Sequence, residues 1–290
     1  MVKIAVDHRF VTPPSPIDRE PSLPEAKLLA GGSGWAIHDV VCTAGPADRA
    51  FEEQHSQSSV AVVVSGTFQY RTSTGYELMT PGSLLLGNRG ETFACGHEHG
   101  IGDRCISFHY SDEFREQAGV PLEQQQFRVP RIPAIPALSP LVANAATLLR
   151  RKADHAMCEE VALQVFDRAT RLQHGVAARQ QASNPSALAR VTRVLRAIES
   201  EPGAPHELSD MAANARLSPY HFLRCFEHLT GVTPRQYLLR TRLRRAAIRL
   251  KVEPTKIIEI ALNCGFGDVS NFNRAFRAEF GKNPRAYRCS

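Results

Sequence analysis

Residues 212 to 287 contain one pattern written twice. The first copy reads Phe222-Leu-Arg224-Cys-Phe226 and then Gly231-Val-Thr-Pro234-Arg-Gln-Tyr237. The second reads Phe272-Asn-Arg274-Ala-Phe276 and then Gly281-Lys-Asn-Pro284-Arg-Ala-Tyr287, at a constant offset of 50 residues. A fixed offset means one supersecondary unit used twice. A short helical stretch and a turn precede each Phe-x-Arg-x-Phe segment, so the unit is helix, tight turn, helix. Two such units in a basic stretch imply a tandem helix-turn-helix that reads DNA.

The charge distribution supports that reading. The formal net charge is +6, but from Asn184 onward there are 18 Lys/Arg against 9 Asp/Glu, and before it 17 against 20. The field that attracts a polyanion therefore belongs to the C-terminal part alone. The seven cysteines are irregularly spaced, and 290 residues need no disulfide staples. No secretory signal opens the chain and no apolar run approaches the ~18 residues of a membrane helix, which predicts a cytoplasmic protein without a membrane partner.

The pattern along the chain predicts an α+β protein of two domains. Residues 1–174 form an N-terminal cupin-like β-barrel, over about 26–127, with a helical hairpin over about 139–173; residues 175–185 form a linker, and 186–290 an all-α tandem helix-turn-helix. The first two dozen residues, rich in proline, read as an irregular arm. Short β-rich runs at Trp35 to Cys42, Ser59 to Ser65, Thr67 to Thr72, Ser83 to Leu86 and Cys105 to Tyr110 are separated by turn residues, as in a small antiparallel barrel. Pro130 to Pro140 reads as a connector, and Leu141 to Leu172 as two helices broken near Asp154.

In the C-terminal part, Leu188, Val191, Val194, Leu195 and Ile198 recur at helical spacing and predict a first core helix. A second short helix runs from about Leu208 to Ala215, and Ser218 has the type and position to cap a third between Pro219 and Thr230. On that third helix Phe222 and Phe226 share one face, while Arg224 is displaced by ~200° and points away. Tyr220, His221, Leu223 and Arg224 are thus the side chains offered to base edges. In the second copy Ile257 to Asn263 form the positioning helix and Gly265-Phe-Gly267 the turn. Asp268 caps a helix that presents Val269, Ser270, Asn271, Asn273 and Arg274. Ala261 and Gly265 have the helix-turn-helix spacing; the first copy has Arg216 where the second has glycine, at a cost on the order of 1 kcal/mol for a non-glycine with positive φ. Pro234 to Lys251 form a basic linking helix of ~27 Å. Its Arg240 and Arg244, with Arg242 and Arg245, are candidates for phosphate contact or for a solvated face.

Leu208 to Arg288 resembles the DNA-binding domain of the AraC/XylS family of bacterial transcription regulators. The resemblance is densest over Ile260-Ala-Leu-Asn-Cys-Gly-Phe-Gly-Asp-Val-Ser-Asn-Phe-Asn-Arg-Ala-Phe-Arg-Ala-Glu-Phe-Gly281 and Pro284 to Arg288. It implies a transcription factor, activator or repressor, that binds asymmetric double-stranded sites through both readers, the second mainly through the DNA backbone. It further implies RNA polymerase as partner, an N-terminal domain that takes a small-molecule effector, and a homodimer formed through that half.

The N-terminal part carries one distinctive run, Cys95-Gly-His97-Glu-His99-Gly-Ile-Gly-Asp103-Arg-Cys105. Cys95, His97, His99 and Cys105 offer soft and imidazole donors for a zinc ion, with His55 as a further ligand. Two other readings stand beside it: small buried thiols flanking a hydrogen-bonded polar turn, and a thiol switch that responds to oxidants or electrophiles. Cupin enzymes carry a His-x-His with a following Glu and a later His. Here the first region offers only His55, so nothing in the sequence supports catalysis. The alternative to a ligand-responsive regulator is a cupin-type metalloenzyme, or a metal or thiol sensor, fused to a DNA-binding domain. No other cofactor is expected.

Overall fold

Alternation along a few strands sets the architecture. The computed structural model describes residues 24–73, 75–97, 100–117, 126–149, 154–175 and 185–289. The N-terminal proline arm, His99 and most of the expected linker lie outside these residues. Among the described residues there are ten strands: β1 Glu25–Gly32, β2 Trp35–Cys42, β3 Phe51–Gln54, β4 Ser58–Gly66, β5 Phe68–Thr72, β6 Gly75–Met79, β7 Leu84–Gly87, β8 Thr92–Gly96, β9 Asp103–Tyr110 and β10 Arg131–Ile132. They pair antiparallel into a six-stranded sheet, in the order β1-β2-β9-β4-β7-β10, and a four-stranded sheet, β3-β8-β5-β6. Among the described residues the strands form two open sheets and not one closed barrel.

Side chains alternate across a strand, so the six-stranded sheet has two chemically different faces. Trp35 and Ile37 of β2, Val60 and Val62 of β4, Leu84 and Leu86 of β7, and Ile106, Phe108 and Tyr110 of β9 share one buried core with the helices α2 (Ser139–Leu148) and α3 (His155–Leu172). The intervening residues, among them His38, Cys42, Ser59, Asp103, Ser107 and His109, face the second sheet. Asp154 caps α3, accepting from the Met157 amide at 2.8 Å, which is where the sequence places the helix break. The Tyr110 hydroxyl donates to the Ala162 carbonyl at 2.8 Å and ties β9 to α3.

Five strands differ from expectation. β1 is largely exposed and lacks a clear alternation, β3 and β6 are short and carry charge, and β8 is flanked by turn residues. β10 lies inside the proline connector, where Arg131 is buried against Glu77, 2.8 Å away, and donates to the Leu78 carbonyl. A two-residue strand has no sequence period, so only its partner strand β7 can define it.

A short helix, α1 (Asp112–Gln117), follows β9. The C-terminal helices are α4 Pro185–Ser200, α5 Leu208–Asn214, α6 Pro219–Thr230, α7 Pro234–Val252, α8 Ile257–Asn263, α9 Val269–Phe280 and α10 Pro284–Cys289. They make two small cores. One joins Leu188, Val191, Val194, Leu195 and Ile198 to Phe222, Phe226 and Tyr237; the other joins Ile260, Ala261, Phe272, Phe276, Phe280 and Tyr287 to the far half of α7. Leu78 of β6 belongs to the first core and Ala143 of α2 to the second, so the sheets and the helical part are in contact.

The two turns differ as their sequences require. Arg216 has φ of 53° and is the only non-glycine residue with positive φ among those described; Gly265 has φ of 89°. A Cβ on Gly265 would also lie 2.9 Å from the Gly203 Cα and from the Arg242 guanidinium. We expect Gly265→Ala to lower stability by about 1–2 kcal/mol from backbone strain alone, with more from the contacts, whereas Gly267→Ala, which has open space, changes it little. Denaturant titration of the two variants checks this; equal losses would show that conformation at Gly265 is not the constraint.

Candidate nucleic-acid interface and buried cavity

Each reader helix is capped by the residue its sequence predicts. Ser218 accepts from the His221 amide and Asp268 from the Asn271 amide, at 3.4 and 2.7 Å. The repeat extends into the following helices: Thr233 caps α7, in a reciprocal box with Gln236, and Asn283 accepts from the Ala286 amide of α10. With Phe222, Phe226, Phe272 and Phe276 wholly buried, the opposite faces are forced outward. Tyr220, 65% exposed, His221 and Arg224 are exposed and Leu223 is half-buried; Ser270, Asn271, Asn273 and Arg274 are exposed and Val269 is half-buried. In each copy the arginine bonds a side chain of its own helix, though at positions that the repeat does not match. Arg224 donates to the Tyr220 hydroxyl, and Arg274 to the Asn271 side-chain oxygen, both at 3.4 Å.

The arginines of α7 lie elsewhere. Arg240 donates to the Ala134 carbonyl at 3.0 Å and pairs with Glu279; Arg244 donates to the Pro81 carbonyl at 3.1 Å and to Glu199 at 2.9 Å. Their side chains are only 12% and 11% exposed. The expected phosphate role is therefore corrected for this arrangement: a guanidinium that is buried and satisfied by carbonyls of the sheet half has no face for a phosphate. Arg242 likewise holds the Pro202 and Ala204 carbonyls of the loop after α4. Of the four, Arg245 alone is exposed. Arg235 and Arg285, one repeat apart at the starts of α7 and α10, are also exposed, and the 50-residue offset itself marks them.

Between the two sheets lies a cavity of about 440 Å³, within the range of small-molecule sites. Three histidines line it. His55 Nε2 lies 2.8 Å from the Tyr70 hydroxyl and its Nδ1 lies 3.1 Å from Ser59 Oγ, and Tyr70 donates onward to the Leu86 carbonyl. That chain is satisfied when His55 is neutral with its proton on Nε2. Burial, and then His109, push His55 down to about 4; burial, and then His38, push His109 down to about 4. The His38 and His109 rings meet edge-on with centroids 5.0 Å apart, and His38 Nδ1 is buried with no hydrogen-bond partner. Alternation on β2 and β9 brings these residues together across 71 positions of sequence; neither strand announces it.

At one end of the cavity the Cys95 to Cys105 run closes on a residue the sequence did not single out. His97 Nε2 is 2.5 Å from Asp103 Oδ2, and His97 Nδ1 is 4.0 Å from Cys42 Sγ. Cys42, His97 and Asp103 form the one group of three close metal-type donors among the described residues, and Cys95 and Cys105 are buried beside them. Of the donors drawn from the sequence, His97 thus sits with Cys42 and Asp103, which pair with each other across the sheet. Burial alone would lower His97, but the hydrogen bonds to Asp103 and Cys42 raise it to about 9. Burial, followed by Asp103, pushes the Cys95 and Cys105 thiols well up.

The helix-turn-helix domain family matches residues 211–290, the span of both readers. This segment is an AraC-type helix-turn-helix domain. The Msm operon regulatory protein of Streptococcus mutans is 32% identical over 106 residues, 37% of this chain and 38% of its own length. The activator RhaS of Klebsiella pneumoniae is 39% identical over 79 residues, 27% of this chain and 28% of its own. The crystal structure of an AraC-type regulator from Chromobacterium violaceum is 28% identical, covering 37% of this chain and 95% of that one, with a TM-score of 0.34. The chain thus spans less than two fifths of the length of these curated relatives. No described helix is long and apolar enough to cross a membrane.

The AraC-type domain leaves the sheets to be tested on their own chemistry. With folded values near 4 against 6.5 unfolded, His55 and His109 let the unfolded chain bind protons that the folded chain refuses. The stability they allow above about pH 6.5 is therefore lost as pH falls toward 4, by about 3 kcal/mol each at 1.36 kcal/mol per unit. His97 acts in the opposite window, its contribution complete below about pH 6.5 and lost as pH rises through about 9. Urea midpoints should decline from pH 6.5 to 4.5, less steeply in His109→Gln. A midpoint independent of acid pH would contradict the neutral cavity.

Proposed function

We propose that the protein is a sequence-specific DNA-binding transcription regulator of the AraC/XylS type. In this reading residues 1–174 are a cupin-like regulatory domain, 175–185 a linker, and 186–290 the reader. The observation that carries it is the repeated exposed face: two capped helices, one repeat apart, hold the matched pairs Phe222/Phe226 and Phe272/Phe276 inward and the matched arginines Arg224 and Arg274 outward. An outward arginine on a recognition helix pairs with guanine or with a phosphate. The transcriptional activator RhaS, named among the relatives of this domain, supports the same role. By the family resemblance, the protein partners are RNA polymerase and a second copy of the chain, which makes the role regulatory and not enzymatic.

The cavity is the effector site in this reading. No lysine or arginine lines it among the described residues, and Glu53 and Asp103 do. An anionic ligand would find no unpaired counter-charge, since His97 at the end of the cavity is held by Asp103, so the effector is neutral or cationic, with an apolar body against Leu85, Phe93 and Ala61. The open position at His38 Nδ1 and the hydroxyls of Ser59 and Ser107 supply its hydrogen bonds.

Arg224→Ala should weaken binding to the selected site by about 1–3 kcal/mol and relax sequence preference, with the melting temperature unchanged, because Arg224 is exposed and its hydrogen bond and ring contact are with Tyr220 of the same exposed face. Footprinting on DNA selected by the wild-type protein reads both effects. Wild-type protection should cover two adjacent helical turns. An identical footprint and affinity for Arg224→Ala would remove α6 from the reading role.

A further inference from the structure

We infer that a zinc ion clips the two sheets together at one end of the cavity, held tetrahedrally by the thiolates of Cys42, Cys95 and Cys105 and by His97 Nδ1, with Asp103 bonded behind the imidazole. The inference goes beyond the DNA-reading role and does not depend on it.

The two sheets lack a direct link at this end. Among the described residues no strand of the six-stranded sheet pairs with a strand of the four-stranded one, and a cavity of about 440 Å³ lies between them. The donors come from both sides of that gap. Cys42 ends β2 and Cys105 lies on β9, in the six-stranded sheet; Cys95 lies on β8, in the four-stranded sheet, and His97 follows β8 directly. Cys42 pairs with Asp103 and Val40 with Cys105, so Cys42 and Cys105 are diagonal neighbours on the face toward the cavity. All three thiols are free and buried.

The imidazole is set as a ligand would be. His97 Nε2 lies 2.5 Å from Asp103 Oδ2, and the two side chains are 1% and 7% exposed. With Nε2 given to Asp103, the nitrogen left to the ring is Nδ1, and it faces Cys42 Sγ at 4.0 Å. That separation is too long for a good hydrogen bond. It is close to the spacing of two ligands on one ion, since Zn–N and Zn–S bonds of about 2.0 and 2.3 Å at the tetrahedral angle place their outer atoms about 3.5 Å apart. Metal-bound histidines give their second nitrogen to a carboxylate, which fixes the tautomer and the ring orientation, and Asp103 is placed to do so. Asp103 is thus a positioning residue and not a ligand. Cys105, whose Sγ is 3.4 Å from Asp103 Oδ1, and Cys95 on the opposite sheet complete the shell by rotation about χ1.

The donor set selects the ion. Three sulfurs and an imidazole favour zinc over magnesium or calcium, which take oxygen ligands. Burial of small thiols as ordinary apolar side chains would account for Cys95 and Cys105, but not for a buried His97–Asp103 pair aimed at a third sulfur. Three thiolates and Asp103 exceed the charge of one Zn²⁺, and Arg196 of α4, whose charge interacts with that of Asp103, offsets part of the excess.

The test uses untagged full-length protein prepared without chelators, with zinc and cobalt as probes. The protein should retain one equivalent of zinc through dialysis, and its melting temperature should rise by about 5 °C or more at a 100-fold excess of zinc over Kd. X-ray absorption at the zinc edge should find about three sulfur and one nitrogen neighbours, at about 2.3 and 2.0 Å. That count needs no variant, so it decides the ligand set even where a substitution prevents folding. The cobalt-loaded protein should show a sulfur-to-cobalt charge-transfer band that falls by about a third in each of Cys42→Ser, Cys95→Ser and Cys105→Ser and persists in Cys289→Ser. Asp103→Asn should keep the band and weaken zinc binding about 10–100-fold; an unchanged affinity removes Asp103 from the site. Failure of the folded wild-type protein to hold zinc against a weak chelating buffer overturns the proposal. A zinc shell with fewer than three sulfurs overturns the ligand set, as does a cobalt band that none of the three thiol variants reduces.

Discussion

Buried guanidinium groups must have their donors satisfied, and in this protein that requirement joins the two halves of the chain. Arg196, Arg240 and Arg244 leave the helical part and end on the carbonyls of Ile101, Ala134 and Pro81 in the sheet part. Glu199 anchors the same region from the other side, accepting from Tyr237, Thr241 and Arg244. A half-satisfied guanidinium in a low-dielectric contact costs more than the contact is worth, so these residues hold either a well-formed interface or none. The consequence for DNA recognition is a division among arginines. Those on the inner side of α7 fasten the halves together, while Arg224, Arg235, Arg274 and Arg285 remain on the surface with the readers.

The sheet part follows from a simpler constraint. Adjacent side chains of a strand lie on opposite faces, so β2 and β9 give their aromatic and aliphatic residues to the helices α2 and α3 and their histidines, serines and cysteines to the cavity. Burial opposes a charge on every histidine here, and the partners decide the outcome. His55 and His109, buried and each beside another histidine, are kept neutral; His97, buried too but hydrogen-bonded to Asp103 and Cys42, is kept charged. One cavity therefore has a neutral hydrogen-bonding wall and a charged end that contacts α4, which is the geometry by which an occupant can be felt outside.

Much of the C-terminal architecture was legible because a repeat is a strong constraint. The offset of 50 residues located both caps, both phenylalanine pairs and both turns, including the strained Arg216, and the helical period did the rest. The β-rich runs of β2, β4, β5, β7 and β9 were legible from their β-branched, aromatic and aliphatic residues set between turn residues. The short strands were not, since β10 and β3 are defined by the partner they pair with and carry no period of their own. The cavity was half legible: His55 and the Cys95 to Cys105 run stood out, but His38, His109 and Cys42 are ordinary residues in ordinary strands until the sheet brings them into register.

What the sequence determined by itself is local: which helix faces are apolar, where helices begin, and that two reader units exist with arginines turned outward. Those properties depend on spacings of three or four residues, within reach of one turn. Only the tertiary structure decided which arginines on α7 are spent on the interface, and which thiol His97 faces. Both depend on groups far apart in the chain, Arg244 with Pro81 and His97 with Cys42, and no local period encodes a contact at that separation.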